Sequence, residues 1–306
     1  MSGSLIEDMI QMKETIYSAA PSVAAVHDLS CVGRCALTVV IPALAAMGVQ
    51  PIPLPTAVLS THTGGYTDMA VRDLTGFIPE CIDHWKALDL KLDAIYSGYL
   101  ASIDQVDMVR ALVAWQKKEN DALVIVDPVM GDEGRLYSAI PRDMPAYMKA
   151  LCDEADLITP NLTEAALMLN LPYPTGSMTM DEVMAMLDGF GAKTTILTSV
   201  TLEDGRPVNV CRVRETGETF MCSYKRIPVH YPGTGDLFTS VLTGCMARGE
   251  APGEAMRKAT AFLEKTIADT WKAGSEVRAG VQLEKALKYL LDEETLAPLP
   301  ELEQIQ

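Results

Sequence analysis

The sequence predicts an α/β protein: a three-layer α/β/α sandwich around a mainly parallel central sheet. Short apolar runs of strand type alternate with longer stretches of helical period almost from end to end. Those runs are apolar at successive positions rather than at every second one, as in strands covered by helices on both faces. Val208 to Val229 differs: two β-rich pieces flank Glu215-Thr216-Gly217-Glu218, the pattern of an antiparallel hairpin at a sheet edge.

Taken in order, strands are expected at Ser22 to His27, Pro51 to Ser60, Asp93 to Tyr99, Ala122 to Asp127, Asp156 to Pro160 and Lys193 to Thr198. Between them, helical spacing covers Val32 to Met47, Ile103 to Glu119, Thr163 to Leu169 and Met180 to Leu187. A helix between successive strands provides the crossover that parallel pairing needs. Three helical stretches close the chain after the hairpin, followed by an acidic, Pro-containing tail. No repeat, low-complexity run or flexible linker divides the sequence. One domain is expected over 1–306, with an N-terminal extension at 1–21 and the acidic tail at 292–306.

The formal charge of −16 argues against nucleic-acid or anionic-membrane surfaces, which need a basic footprint. With 48% hydrophobic and 22% charged residues the chain supplies a large core and is far from a disordered composition. The Cys residues, an odd 7 in number, follow no disulfide framework or zinc spacing and read as reduced thiols. The first residues have no basic segment ahead of an apolar run, and no stretch reaches the roughly 18 apolar residues of a membrane span. A cytoplasmic protein whose partners are small molecules or proteins is expected.

Ligands of open parallel sheets bind beyond the carboxyl ends of the strands, so the residues just after each strand are the candidates. Gly233-Thr234-Gly235-Asp236 opens a helical run. Its glycines allow close backbone approach, and first-turn amides with the helix dipole attract a phosphate or a developing anion. A carboxylate there repels a phosphate unless it acts as a base on a neighbouring hydroxyl, which suggests phosphoryl transfer. The same stretch also reads as a plain helix start capped by Thr234. Asp127-Pro-Val-Met-Gly-Asp132 puts two carboxylates at a strand end, suited to Mg²⁺ beside nucleotide phosphates or equally to a solvated turn. Asn161-Leu-Thr-Glu164 has capping-box spacing, yet its position allows its carboxylate to converge with Asp127 and Asp236 on one cation. The loop Ser60 to Tyr66, with His62, Thr63 and two glycines, suits either a small polar aromatic ligand or a tight turn. His27-Asp28-Leu29-Ser30 is equally ambiguous, because Asp28 or Ser30 can cap a following helix. P-loop, dinucleotide, H-E-x-x-H and G-x-S-x-G patterns are absent from the sequence.

Together these segments resemble the ribokinase-like superfamily and, within it, the pyridoxal and pyridoxamine kinases of vitamin B6 salvage. The resemblance runs from about Val23 to Lys272. It is carried by Thr56-Ala-Val-Leu-Ser-Thr-His-Thr-Gly-Gly65, Tyr96-Ser-Gly-Tyr99, Val126-Asp-Pro-Val-Met-Gly-Asp132, Ile158-Thr-Pro-Asn-Leu-Thr-Glu164 and Gly233-Thr-Gly-Asp-Leu-Phe238 in matching order and spacing.

The resemblance implies an ATP-dependent kinase acting on the 5′-hydroxymethyl of pyridoxal, pyridoxamine or pyridoxine. Asp236 would be the base, and the Gly233, Thr234 and Gly235 amides would stabilise the transferred phosphoryl. Asp127, Asp132, Thr159, Asn161 and Glu164 would handle the ATP phosphates, with Asp127 and Glu164 toward Mg²⁺. Thr198 and Ser199 would lie near the nucleotide, and Tyr137 would belong to a lid over the phosphates. The vitamer ring would sit among Asp28, Val32, His62, Thr63 and Tyr99. A homodimer is implied on the same basis, and a monovalent cation is compatible with it. Two positions depart from the pattern. Asp28 stands where many such kinases have Ser, and Gly65 follows His-Thr-Gly where an aromatic is usual. An acidic Asp28 could pair with a pyridinium nitrogen or an amine, so a preference among B6 vitamers is expected. Two alternatives remain: a hydroxymethylpyrimidine kinase of thiamine synthesis, and a catalytically silent B6-vitamer binding protein.

Overall fold

The computed structural model describes residues 20–305, so the expected N-terminal extension, apart from its last two residues, lies outside them. The chain enters with β1 (Ser22–Ser30), α1 (Leu37–Ala46), β2 (Gln50–Leu59) and a short β3 (Val71–Asp73). It continues through α2 (Phe77–Ala87), β4 (Ala94–Ser97), α3 (Ile103–Asn120) and β5 (Leu123–Val126). A two-strand ribbon, β6 (Gly131–Asp132) with β7 (Arg135–Leu136), precedes α4 (Met144–Asp153), β8 (Leu157–Ile158), α5 (Leu162–Leu169), α6 (Met180–Asp188) and β9 (Thr194–Thr201). The hairpin β10 (Pro207–Val213) and β11 (Thr219–Ser223) leads into the long helices α7 (Thr234–Ala247) and α8 (Pro252–Lys272). Two single-turn helices, α9 (Leu283–Ala286) and α10 (Lys288–Leu291), and β12 (Leu302–Ile305) complete the described chain.

The main sheet has the order β12-β11-β10-β9-β8-β5-β4-β1-β2-β3. Strands from β9 to β2 in that order pair in parallel, whereas β3, β10, β11 and β12 pair antiparallel with their neighbours. Side-chain alternation sends Val23, Ala25, Ala94, Tyr96 and Ile125 to one face, under α1, α7 and α8. Ala24, Val26, Ile95, Val124 and Val126 face the other way, under α2 to α6. Each fully buried Val, Leu or Ile in these layers contributes about 1.5–3 kcal/mol. This is the expected three-layer sandwich.

Several helix starts follow from local sequence. The Ser102 hydroxyl accepts the Gln105 amide ahead of α3. Asn161/Glu164 and Thr179/Glu182 form reciprocal capping boxes on α5 and α6.

The differences from expectation have physical reasons. β1 runs on to Ser30 because, past a register shift between His27 and Leu29, it resumes pairing with β2 at Val58 and Leu59. α1 starts at Leu37 rather than Val32. The Cys31 and Val32 amides instead donate to Leu59 and Ser60, and Ala36 has φ 53°. The hairpin is not at the sheet edge, since β12, inside the acidic tail, pairs with β11 and takes the edge itself.

Candidate active site

The sheet reverses direction of growth at β1, which has β2 on one side and β4 on the other. Loops after β1, β4 and β5 therefore splay apart at this switch point and leave a crevice. The helix α7 points its N-terminus into it. Its N-cap is Gly233 at φ 80°, where a Cβ would stand 2.1 Å from the Arg34 carbonyl oxygen, so glycine is required. Thr234 is the first helical residue and not the cap; its hydroxyl donates to the Tyr231 carbonyl at 3.0 Å. No side chain caps α7, so its first-turn amides face the crevice with the positive end of the dipole.

Asp236 lies in that first turn and is buried. Its Oδ2 accepts the Ala36 amide at 2.6 Å, and its Oδ1 lies 3.1 Å from His27 Nε2. The other ring nitrogen, Nδ1, lies 2.9 Å from Asp28 Oδ1, and Ser30 Oγ donates to Asp28 Oδ2 at 2.8 Å. Burial alone would lower the His27 pKa. The Asp236 charge and hydrogen bond, reinforced by Asp28, outweigh it and raise the value to about 10. For Asp236, burial pushes the pKa up, but the His27 charge and hydrogen bond win and hold it below the ordinary carboxylate value.

Asp127, just past β5, is also buried, and its Oδ2 accepts from Thr239 Oγ1 at 3.0 Å. Thr159 Oγ1 lies 2.9 Å from the same Thr239 hydroxyl. Burial and the Asp236 charge raise the Asp127 pKa to about 7. The Glu164 carboxylate accepts the Asn161 amide at 2.9 Å and the Met130 amide at 3.3 Å, yet burial and Asp127 still push its pKa well up. Asn161 Oδ1 accepts the Glu164 amide, and its Nδ2 donates to the Gly131 carbonyl at 3.0 Å. The capping box and a cleft position are therefore both realised, with Asn161 also anchoring the β6–β7 ribbon.

That ribbon carries Asp132, 3.6 Å from His230 across the cleft, and ends at Tyr137, which is 41% exposed. Thr198 and Ser199 lie within β9, where Ser199 has φ 62° and its amide donates to Asn209 Oδ1 at 3.2 Å. The sequence pattern ended the strand at Thr198, with Ser199 just beyond; a register shift between Val208 and Val210 lets pairing with β10 continue past both.

On the opposite side, Gly64 N donates to His62 Nδ1 at 3.0 Å, and His62 Nε2 lies 2.7 Å from the Arg278 carbonyl oxygen. These partners point a proton on Nε2 at the Arg278 carbonyl. Tyr66 packs edge-on to His62, and the Arg278 guanidinium covers Tyr66.

These groups, Tyr66 apart, line one cleft of about 1330 Å³, room for two small molecules end to end. It takes in Asp28, His62, Thr63, Tyr99, Asp127, Asp132, Tyr137, Thr159, Asn161, Glu164, Thr198, Ser199 and Gly233 to Asp236. Val32 is a correction: it does not line the cleft and is 53% exposed, because the chain leaving β1 follows the Ser60 loop and turns that side chain outward. The expected convergence of three acidic loops on one cation is corrected too. Among the described residues no group of three or more His, Cys, Asp or Glu side chains is arranged to hold a metal. Asp236 is instead tied to His27, and Asp127 and Glu164 form a buried pair. Burial raises both pKa values, the Asp127 charge adds to the shift of Glu164, and among the described residues no cationic side chain hydrogen-bonds to either carboxylate, an environment that a hard divalent cation would relieve.

Three contributors were given no role in the sequence reading. His27 and Thr239 are next to singled-out residues in sequence or in helix α7, and the turn Glu276 to Arg278 closes the cleft from far along the chain. For His27 the signal was available, since it stands at the strand end beside Asp28. No helix among the described residues is long and apolar enough to cross a membrane.

The sequence profile of the phosphomethylpyrimidine kinase family matches residues 40–280. A candidate phosphomethylpyrimidine kinase from Bacteroides thetaiotaomicron VPI-5482, crystallised with pyridoxal, is 40% identical over 94% of this chain and 100% of its own, with a TM-score of 0.86. The pyridoxal kinase from Lactobacillus plantarum is 32% identical over 92% of this chain and 99% of its own, with a TM-score of 0.80. A pyridoxal kinase from Bos taurus is 30% identical over 231 residues, 64% of this chain and 72% of the bovine one. The sandwich is thus the ribokinase-like fold, and the chain belongs to the phosphomethylpyrimidine kinase family, alongside the pyridoxal kinases that it resembles.

Proposed function

We propose that this protein transfers the γ-phosphoryl group of ATP to the 5′-hydroxymethyl of a B6 vitamer: pyridoxal, pyridoxamine or pyridoxine. One observation carries the reading: a buried Asp236 stands in the first turn of a helix whose amides are uncapped, within a cleft with room for vitamer and nucleotide together. The kinship with proteins named pyridoxal kinase, one relative having been crystallised with pyridoxal, supports the choice of acceptor.

Asp236 takes the hydroxyl proton as that oxygen bonds to the γ-phosphorus and the bond to the β-phosphate oxygen breaks, leaving ADP. The Gly233, Thr234 and Gly235 amides stabilise the charge on the moving phosphoryl. Asp127 and Glu164 would hold Mg²⁺, which would spread the phosphate charge. Thr159 and Thr239 orient Asp127. Asp132, Asn161, Thr198 and Ser199 border the nucleotide, with Tyr137 on the ribbon that shields the phosphates from water. His62, Thr63, Tyr99 and Asp28 enclose the vitamer ring. A homodimer and a monovalent cation belong to this reading through the resemblance. A reducing, cytoplasmic setting fits the seven free thiols.

The family profile carries the name of a pyrimidine kinase, so hydroxymethylpyrimidine is the second acceptor to test. The deciding experiment measures ATP- and Mg²⁺-dependent phosphate transfer to pyridoxal, pyridoxamine, pyridoxine and hydroxymethylpyrimidine in parallel, for wild type and Asp236→Asn. Turnover of the B6 compounds that falls by about 10² or more in Asp236→Asn supports the proposal. Turnover of the pyrimidine alone moves the protein to thiamine synthesis, and tight vitamer binding without turnover makes it a silent binder.

A further inference from the structure

The proposed chemistry leaves the buried imidazole of His27 without a role. His27 ends the bulge-free part of β1, is 2% exposed, and bridges Asp236 on α7 and Asp28 at the ring end of the cleft. Its seat is built for a flat ring. A Cβ on Gly98 would lie 2.0 Å from His27 Cδ2 and 2.3 Å from Nε2, so only glycine after β4 leaves room for it. The Tyr96 ring packs edge-on at 6.4 Å, and the Tyr96 hydroxyl donates to the Asp236 carbonyl at 3.4 Å.

We infer that His27 is a positioning residue for the phosphoryl transfer: an imidazolium clamped between Asp28 and Asp236 that fixes the Asp236 carboxylate and keeps it ionised. The inference rests on the reading of Asp236 as the base.

The contacts favour the doubly protonated ring. The Asp28 amide also lies 2.9 Å from Nδ1 and can donate to it when that nitrogen is bare, but Asp28 Oδ1 at the same distance would then face a lone pair. With both nitrogens protonated, each donates to a carboxylate. A cation against Asp236 lowers its pKa, so the base stays deprotonated further into acid. The Ala36 amide on Oδ2 and the imidazolium on Oδ1 fix the carboxylate plane and leave each oxygen one lone pair for the substrate hydroxyl. The clamp also links Asp236 to the end of the cleft where the vitamer ring would lie. Other titratable groups face this pair: Asp127 after β5, Tyr96 on β4, Cys35 ahead of α1, His62 at the cleft mouth and Tyr137 on the ribbon.

The test is the pH profile of kcat/KM for pyridoxal at saturating nucleotide and Mg²⁺, for wild type, His27→Gln, Asp127→Asn and Asp236→Asn. Gln keeps an amide donor near Nε2 but removes the charge. The acid limb is expected to move to higher pH by roughly one to three units in His27→Gln, with activity on the alkaline plateau recovered to within a few fold. A folded His27→Gln with an unmoved limb overturns the inference, as does a limb that moves only with Asp127→Asn. Full turnover in Asp236→Asn would instead remove the base assignment on which it stands. Should His27→Gln fail to fold, ¹⁵N spectra of the wild-type imidazoles decide, with His62, His84 and His230 assigned by single substitutions. A ring protonated at both nitrogens from pH 6 to 9 supports the clamp, and a neutral His27 at pH 7.5 overturns it.

Discussion

Raising the pH from 7 to 8.5 is expected to destabilise the ligand-free protein by roughly 2 kcal/mol, most of it through His27. In the folded chain its pKa is raised from the ordinary 6.5 to about 10. Below 6.5 both folded and unfolded chains bind the proton, and the stabilisation is fully present. Between 6.5 and 10 only the folded state keeps it, so each pH unit removes about 1.4 kcal/mol; above 10 the contribution is gone. Two other sets of groups bound the useful window. Asp127, raised to about 7, shifts the balance mainly at lower pH, and buried thiols such as Cys211, raised to about 12, add their own loss near 9 and above. Urea unfolding at half-unit steps from pH 7 to 8.5 isolates the imidazole. With a slope of about 3 kcal/mol per molar, the midpoint should fall by on the order of 0.5 M. His27→Gln should flatten that fall. A wild-type midpoint that stays constant, or an equal fall in His27→Gln, would refute a protonated buried imidazole.

Other perturbations act on different parts of the cleft. Gly233→Ala places a Cβ 2.1 Å from the Arg34 carbonyl at a φ of 80°. The expected cost is about 1–3 kcal/mol of stability, with turnover reduced more than tenfold as the α7 amides shift; thermal unfolding and steady-state kinetics check both. Asp28→Ser removes the carboxylate at the ring end of the cleft and is expected to change the kcat/KM ratios among pyridoxal, pyridoxamine and pyridoxine by severalfold. Ratios equal to wild type would mean that Asp28 serves only its neighbours Ser30 and His27.

The sequence reading reached the sandwich because each parallel strand is a continuous apolar run, and because the motif loops follow those runs in the order the sheet needs. It placed most cleft residues for the same reason: strand ends and helix starts are local signals. What it missed is non-local. His27 reads as one more residue of a strand until Gly98 on another strand and Asp236 on a distant helix surround it. Thr239 sits one turn into α7, and its bond to Asp127 depends on the packing of α7 against β5. Val32 was misplaced because the backbone leaving β1 is steered by bonds to the β2 loop rather than by its own helical pattern.

The edge strand β12 has a consequence for assembly of the chain. β11 finds its outer partner only in a segment that follows α7 and α8 in the chain, so its outer rim is open until that tail docks. Leu302 then packs on the layer beneath α8 and Ile305 on the opposite layer, so four residues pin both sides of the sheet at once. A nascent or clipped chain that ends before Leu302 would present β11, with Phe220 and Met221, as a sticky template for other chains. The acidic tail thus supplies the strand that covers an otherwise unpaired rim of the sheet.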